Sequence, residues 1–402
     1  MSDFLQIFGG LNTLVTGSLS SALVRILLIV IGLALIYLCH KKILDPLILL
    51  PMGIGMIAVN AGTLLLEGGR IGNLFIDPLV SSQSGIIDAL QIEFLQPVYT
   101  LTFSNGLIAG LIFVGLGAIT DIDFLMATPL SSMMLAVGAE LGTIMVLPIA
   151  MLWGLNLNEA ASIAMVGGAD GPMVLYTSLL LARDLFVPIT VIGYVYLSLT
   201  YAGYPFLIRA LVPKKMRGIA MDPRAVKKVP PAEKLAFAVL VVLVLSLLFP
   251  AASPLFASFF LGVAIKEMNV ARLKEFVEGP LLNGSTFFLG LVLGCLFSVE
   301  IVSNTTVFKL LVLGMLALLL SGIGGILAGL LHYKLSHGKA NPLLGIAAVS
   351  CLPTTAKIAQ KAACEANKWA LILPYAMGAS VAGVVTTAII CGIYVAAVPI
   401  FS

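Results

Sequence analysis

What most constrains this chain is a succession of apolar runs of about 18 residues or more, clearest at 21–38, 187–212 and 369–400. As a helix, at about 1.5 Å per residue, such a run is long enough to cross the hydrocarbon core of a bilayer. In hydrocarbon every backbone N–H and C=O must be satisfied internally, which selects helices for runs of this length. Composition agrees: 60% of the 402 residues are hydrophobic and 10% are charged, against about a quarter charged in soluble domains. The expected fold is an all-α polytopic membrane protein, surrounded by membrane lipid, and a soluble globule is excluded. Candidate spans lie near 21–38, 43–66, 106–119, 124–152, 158–182, 187–212, 235–266, 282–300, 305–331, 341–366 and 369–400. Pro250 and Pro254 make 235–266 either a bent span or a short hairpin, and 68–97 reads as a loop with an interfacial helix.

Residues 1–20 have no basic n-region, so a cleaved signal is not expected. The net charge of +3 reads as topology information, not as affinity for nucleic acid. Cys39, Cys295, Cys351, Cys364 and Cys391 show no CxxC spacing, which argues against a disulfide framework or a metal cluster. No P-loop, GxGxxG or HExxH is present.

The most polar connection is 213–234, where Lys214, Lys215, Arg217, Arg224, Lys227, Lys228 and Lys234 face only Asp222 and Glu233. The positive-inside rule makes it a cytoplasmic linker, dividing the chain into membrane halves 1–212 and 235–402. The halves echo each other. "SNGLIAGLIFVGLGAITDIDFL" from Ser104 resembles "LNGSTFFLGLVLGCLFSVEIVS" from Leu282, with Asn105 and Asn283 offset by 178 residues (283 − 105). "NEAASIAMVGGADGP" from Asn158 is answered by "NPLLGIAAVSCLPTTA" from Asn341, with Pro172 and Pro353 offset by 181 (353 − 172). Ordered matches at nearly one offset indicate two repeats, expected to be inverted, each with an interrupted transmembrane helix. Such paired interruptions mark a transport site, because the freed backbone groups must line a polar cavity or be buried in protein.

Asp170, inside the first interruption, is the leading chemical group. A mid-membrane carboxylate costs a few kcal/mol unless it pairs, protonates or binds an ion; the plainer alternative is a helix cap near the interface. The second interruption offers only neutral oxygens, on Asn341, Ser350, Thr354 and Thr355. One acid with several neutral oxygens suits a hard monovalent cation such as Na+, although Ser and Thr also bond back to their own helix. Lys357, Lys361 and Glu365 follow one turn apart, either as a cationic mouth for an anionic substrate or as an ordinary i,i+4 helix end. Tyr194 and Tyr196 are packing aromatics or a proton relay. Glu140, in "LAVGAELGT", is a second intramembrane acid, either paired with Lys or Arg or a protonation site.

"GGADGP" at 167–172, "NPLLG" at 341–345, Ser350 and Lys357 together resemble the β-subunit of sodium-transporting carboxylic acid decarboxylases, over nearly the whole chain. The resemblance implies a translocase subunit that decarboxylates carboxybiotin, consumes a proton and exports Na+ across a prokaryotic cytoplasmic (inner) membrane. It implies a carboxyltransferase α-subunit, a biotin carrier protein holding the biotin, and a small γ/δ-type membrane subunit in an oligomeric complex. Asp170, Tyr196 and Lys357 would then be catalytic, and Asp170, Asn341, Gly345, Ser350 and Ser380 would hold Na+, with Gly345 allowing close approach. Two positions depart from the family pattern. Lys357 stands where arginine is usual, keeping the charge but losing the bidentate fork, and Ser380 stands where asparagine is common. The rival expectations are a stand-alone secondary Na+-coupled carboxylate or proton exchanger, whose site would look much the same, and a purely structural membrane anchor.

Overall fold

The computed structural model describes residues 8–65, 71–77, 83–222, 228–299 and 305–401. Among the described residues, six helices are long and apolar enough to span a bilayer: Leu19–His40, Pro129–Leu152, Pro231–Leu248, Ala271–Leu296, Thr306–Leu335 and Leu373–Phe401. Counting each of two bent pairs as one span, Gln96–Phe103 with Leu107–Ile119 and Arg183–Leu197 with Leu199–Leu211, brings the total to eight. Among the described residues the only strands are a two-residue antiparallel pair, Leu64–Leu65 with Ile71–Gly72. The architecture is the all-α polytopic one expected.

Part of the 68–97 region, and Arg224 and Lys227 of the basic connection, lie outside the described residues; within 68–97 the chain forms a helix over Gln83–Ile92. The 235–266 segment is a hairpin, not a bent span. Helices Pro231–Leu248 and Ser253–Glu267 are reversed by a tight turn at Pro250–Ala252, and the Phe237 and Phe260 rings meet edge-on at 6.3 Å. Pro250 and Pro254 each sit at the first turn of their element, where the missing N–H is harmless. Lys234 ties the open end of the hairpin to Asp121, Asp123 and Glu267 at 3.2, 2.8 and 3.5 Å.

Two compact units divide the chain. The first takes Met1–Ile108 with Asn283–Phe308, the second Ala109–Leu282 with Lys309–Ser402. In the first, Leu19–His40 packs on Pro46–Ala61, and a Cβ on Gly32 would stand 2.9 Å from the Gly53 carbonyl. Arg25, only 3% exposed in that apolar helix, is satisfied by neutral oxygens: it donates to Asn60 O at 2.9 Å, Thr13 Oγ1 at 3.1 Å and Gly10 O at 3.3 Å.

The candidate site belongs wholly to the second unit. Its helices are α1 Pro129–Ala139, α2 Leu141–Leu152, α3 Leu157–Ala164, α4 Gly171–Leu181, α5 Phe186–Leu211, α6 Thr305–Leu335 (in this unit from Lys309), α7 Leu344–Ala347, α8 Thr354–Ala366 and α9 Leu373–Phe401. Little hydrophobic force drives helices together in lipid, so close packing rests on small residues. The α6 stretch "SGIGGILAG" supplies them: Gly324 lies against the Gly138 carbonyl of α1, while Gly325 and Gly329 lie against Gly345 and Pro342.

Candidate functional site

The first interruption is built in steps. An Asn156–Glu159 capping box starts α3, with reciprocal bonds of 2.9 and 3.0 Å. After Ala164 the helix tightens into a single 3₁₀ turn, Met165–Gly168, and ends at Ala169, whose φ of +54° is left-handed. That conformation costs an L-residue about 1–2 kcal/mol and re-aims the chain. Asp170 follows in extended conformation and caps α4, its Oδ1 accepting from Met173 N at 3.4 Å, with Pro172 in the first turn. Capping uses one oxygen. The other, Oδ2, is buried without a hydrogen-bond partner among the described residues, and Asp170 is only 4% exposed, so it is not a solvent-exposed cap. The glycines admit close neighbours: a Cβ on Gly168 would strike Thr387 and come within 3.3 Å of Glu140 Oε2, and one on Gly171 would enter the Tyr194 ring.

The second interruption is made from neutral groups. The chain leaves helical form after α7 and re-enters it at α8, passing through a cis Leu352–Pro353 bond. Thr355 Oγ1 faces the loosened carbonyls of Ala347, Val349 and Cys351 at 3.2, 2.7 and 3.2 Å. Gly345 presses its backbone on α6, where a Cβ would collide with the Gly325 carbonyl and stand 2.6 Å from Gly329 N.

The two interruptions are bonded to each other. Ser350 N donates to Gly168 O at 3.2 Å, and Ser350 Oγ donates to the same carbonyl. From α9, Thr387 Oγ1 lies 2.9 Å from Ser350 Oγ and also hydrogen-bonds Glu140 Oε1. Glu140 sits at the α1–α2 join, fully buried, with Thr143 Oγ1 donating to its Oε2 at 2.6 Å. Ser380, also on α9 and fully buried, has an Oγ without a hydrogen-bond partner among the described residues. It lies three residues before Gly383, whose backbone touches Ala348 and Ser350.

Other expected site residues fall elsewhere. The Asn341 amide clamps the basic connection, donating to Arg217 O and Ile219 O at 2.8 Å each while its Oδ1 accepts from Leu343 N at 2.9 Å. Tyr196 donates to Leu311 O of α6 at 2.7 Å. It is Tyr194 that lies against Gly171, beside Asp170. Lys357 is exposed on α8 and lines a groove with Tyr201, Pro205, Ile358 and Lys361. Glu365 pairs with Arg209 at 2.9 Å, so α8 is not closed by an i,i+4 pair to Lys361. Sequence reasoning missed Gly168 and Thr387 and left Glu140 outside the site; the one signal for the last was a charge in an apolar run with no cation at helical spacing.

Residues 24–398 match the family model described as the Na+-transporting oxaloacetate decarboxylase beta subunit. The chain is 50% identical to the carboxybiotin decarboxylase of Malonomonas rubra over 395 residues, 98% of both chains. It is 31% identical to the methylmalonyl-CoA decarboxylase subunit beta of Veillonella parvula, covering 91% of each. It is 32% identical to the glutaconyl-CoA decarboxylase subunit beta of Acidaminococcus fermentans, covering 92% of each. With a match across nearly its full length, the chain belongs to the family of Na+-transporting decarboxylase beta subunits.

Proposed function

We propose that this chain decarboxylates carboxybiotin presented by a partner carrier protein and couples that reaction to Na+ export with uptake of a proton. The observation that carries the proposal is Asp170 Oδ2, a buried carboxylate oxygen without a partner among the described residues, two residues from the carbonyl that joins the interruptions. Na+ is the cargo. Asp170 Oδ2, Ser350 Oγ and Ser380 Oγ are the oxygens offered to it, a hard and mostly neutral set that suits a monovalent ion. Asn341 and Gly345 serve the same site by fixing the second interruption to the basic connection and to α6. Asp170 alternates between Na+ and a proton, which ties the two fluxes together.

Lys357 draws the anionic carboxylate of carboxybiotin to the groove it lines with Lys361. Tyr196 holds α5 on α6 and keeps a phenol in reach of proton transfer. The halves 1–212 and 235–402 are inverted repeats around linker 213–234. The chain works in a prokaryotic inner membrane, within an oligomer containing a carboxyltransferase α-subunit, a biotin carrier and a small γ/δ-type subunit.

The test is uptake of radioactive sodium into proteoliposomes carrying the reconstituted complex. Uptake driven by the acid substrate and blocked by avidin is expected. Avidin-insensitive uptake by the chain alone would instead identify a stand-alone exchanger.

A further inference from the structure

Among the described residues, no cation balances the ionisable group of Glu140. It is fully buried, makes no ion pair among the described residues, and faces the hydroxyls of Thr143 and Thr387. Among the described residues, the titratable groups that act on it electrostatically are Asp170, Tyr204 and Tyr394, none of them a cation. Two buried carboxyls that sense each other without a counter-ion are not both charged at low cost.

Counting protons locates the missing one. Four oxygens stand in a row, Glu140 Oε1, Thr387 Oγ1, Ser350 Oγ and Gly168 O, joined by three successive hydrogen-bond contacts. The row owns two hydroxyl protons, one on Thr387 and one on Ser350, while Thr143 spends its own on Glu140 Oε2. Were Glu140 ionised, one contact would be two lone pairs facing each other in a dry interior. A proton on Oε1 fills every contact of the row in one direction, from Glu140 to Thr387 to Ser350 to the Gly168 carbonyl, while the Gly383 carbonyl, 3.0 Å from Thr387 Oγ1, is served within α9.

We infer that Glu140 is a neutral carboxylic acid and a positioning residue, which through Thr387 fixes the Ser350 hydroxyl on the Gly168 carbonyl and leaves Ser350 one lone pair for a cation. Only the cation clause rests on the function proposed above. Glu140 itself touches neither cargo nor substrate; it sets the direction in which Ser350 offers its oxygen.

Infrared spectroscopy of the purified chain at neutral pH reads the proton directly. A protonated-carboxyl C=O stretch is expected in Asp170→Asn, where Asp170 contributes none, and is expected to vanish in the double variant Asp170→Asn/Glu140→Gln. If Glu140→Gln does not fold, Thr387→Val serves, because the stretch must shift once the acid loses its acceptor. In the reconstituted complex, Thr387→Val is expected to raise the half-saturating Na+ concentration about tenfold, the scale on which partners behind a ligand act. Thr387→Ser keeps the hydroxyl and should return it to within about twofold of the wild type. In the Asp170→Asn background, absence of the stretch or its persistence unshifted when Glu140 or Thr387 is also replaced overturns the inference, as does a Na+ response in Thr387→Val equal to wild type. A wild-type complex indifferent to Na+ that still shows the Glu140 stretch would break the proposed function and leave the proton assignment standing.

Discussion

The two interruptions solve one problem with different chemistry. The first turns the chain through a left-handed alanine and keeps a carboxylate, half of it spent on capping α4 and half left over. The second has no acid. Its loosened carbonyls gather around one hydroxyl, Thr355, and its backbone is pinned by Gly345 against α6 and by Asn341 against the basic connection. The difference teaches a division of labour. The first interruption is under-satisfied and therefore chemically available, whereas the second is almost fully satisfied and acts as its frame.

Breaking that contrast from the chemical side should have the largest effect. Asp170→Asn removes the available charge while keeping a cap, so Na+-dependent CO2 release should fall about 100-fold or more, the scale of losing one member of a buried charged pair. A rate assay on the reconstituted complex decides it, and full sodium-dependent turnover would sink the role given to Asp170. Next comes the frame. Gly345→Ala drives a methyl into the Gly325 carbonyl, and overpacking of this kind costs about 1–3 kcal/mol. Thermal unfolding of the detergent-solubilised complex should show that loss. Gly345→Ala with unchanged stability would mean that α6 and the second interruption yield easily.

A finer contrast comes from Ser380, whose hydroxyl has no partner to lose. Ser380→Ala should leave unfolding nearly unmoved but raise half-saturating Na+ about fivefold, the worth of about one polar contact. Thr355→Val should do the reverse, costing about 1–3 kcal/mol of stability through its orphaned carbonyls with a smaller change in Na+ response. The smallest effect lies away from the site, at the open end of the hairpin. Burial opposes the Asp121 charge, but the Asp123 amide, Lys266 and Lys234 together hold its carboxyl below the usual range. A carboxyl lowered in the folded state lends stability above its ordinary value, near about 3.9, and loses it as pH falls through the lower folded value. Acid unfolding followed by circular dichroism should be shallower there in Asp121→Asn.

Much of the frame was legible in the sequence, since long apolar runs leave a chain few choices other than spanning helices. Both interruptions were legible too, because glycine and proline in a greasy run are local signals and the offset of Pro172 from Pro353 pairs them. What the runs could not say is which groups meet. The Ser350–Gly168 bond joins residues 182 positions apart, and no spacing rule reaches that far. Asn341 shows a second limit: an amide that could ligate an ion is the same amide that can clamp a connection, and only its neighbours decide. Glu140 shows a third. Its charge was visible, but its partners, Thr143 nearby and Thr387 on α9, assemble only when the helices pack.

The seam on α6 carries a mechanical consequence. Gly324 and Gly325 are consecutive, yet one rests on α1 beside the Glu140 join and the other on the second interruption. The α1 side is keyed by more than backbone, since the Leu141 side chain packs beside Gly324 and Ser321 Oγ of α6 accepts from Gly142 N at 3.0 Å. The other face is backbone on backbone, with Gly325 and Gly329 against Gly345 and Pro342. Contacts of that kind resist separation more strongly than displacement along the axis, so small shear steps are easier against the second interruption than against α1. A methyl added to Gly325 would act as a stop on that smoother face.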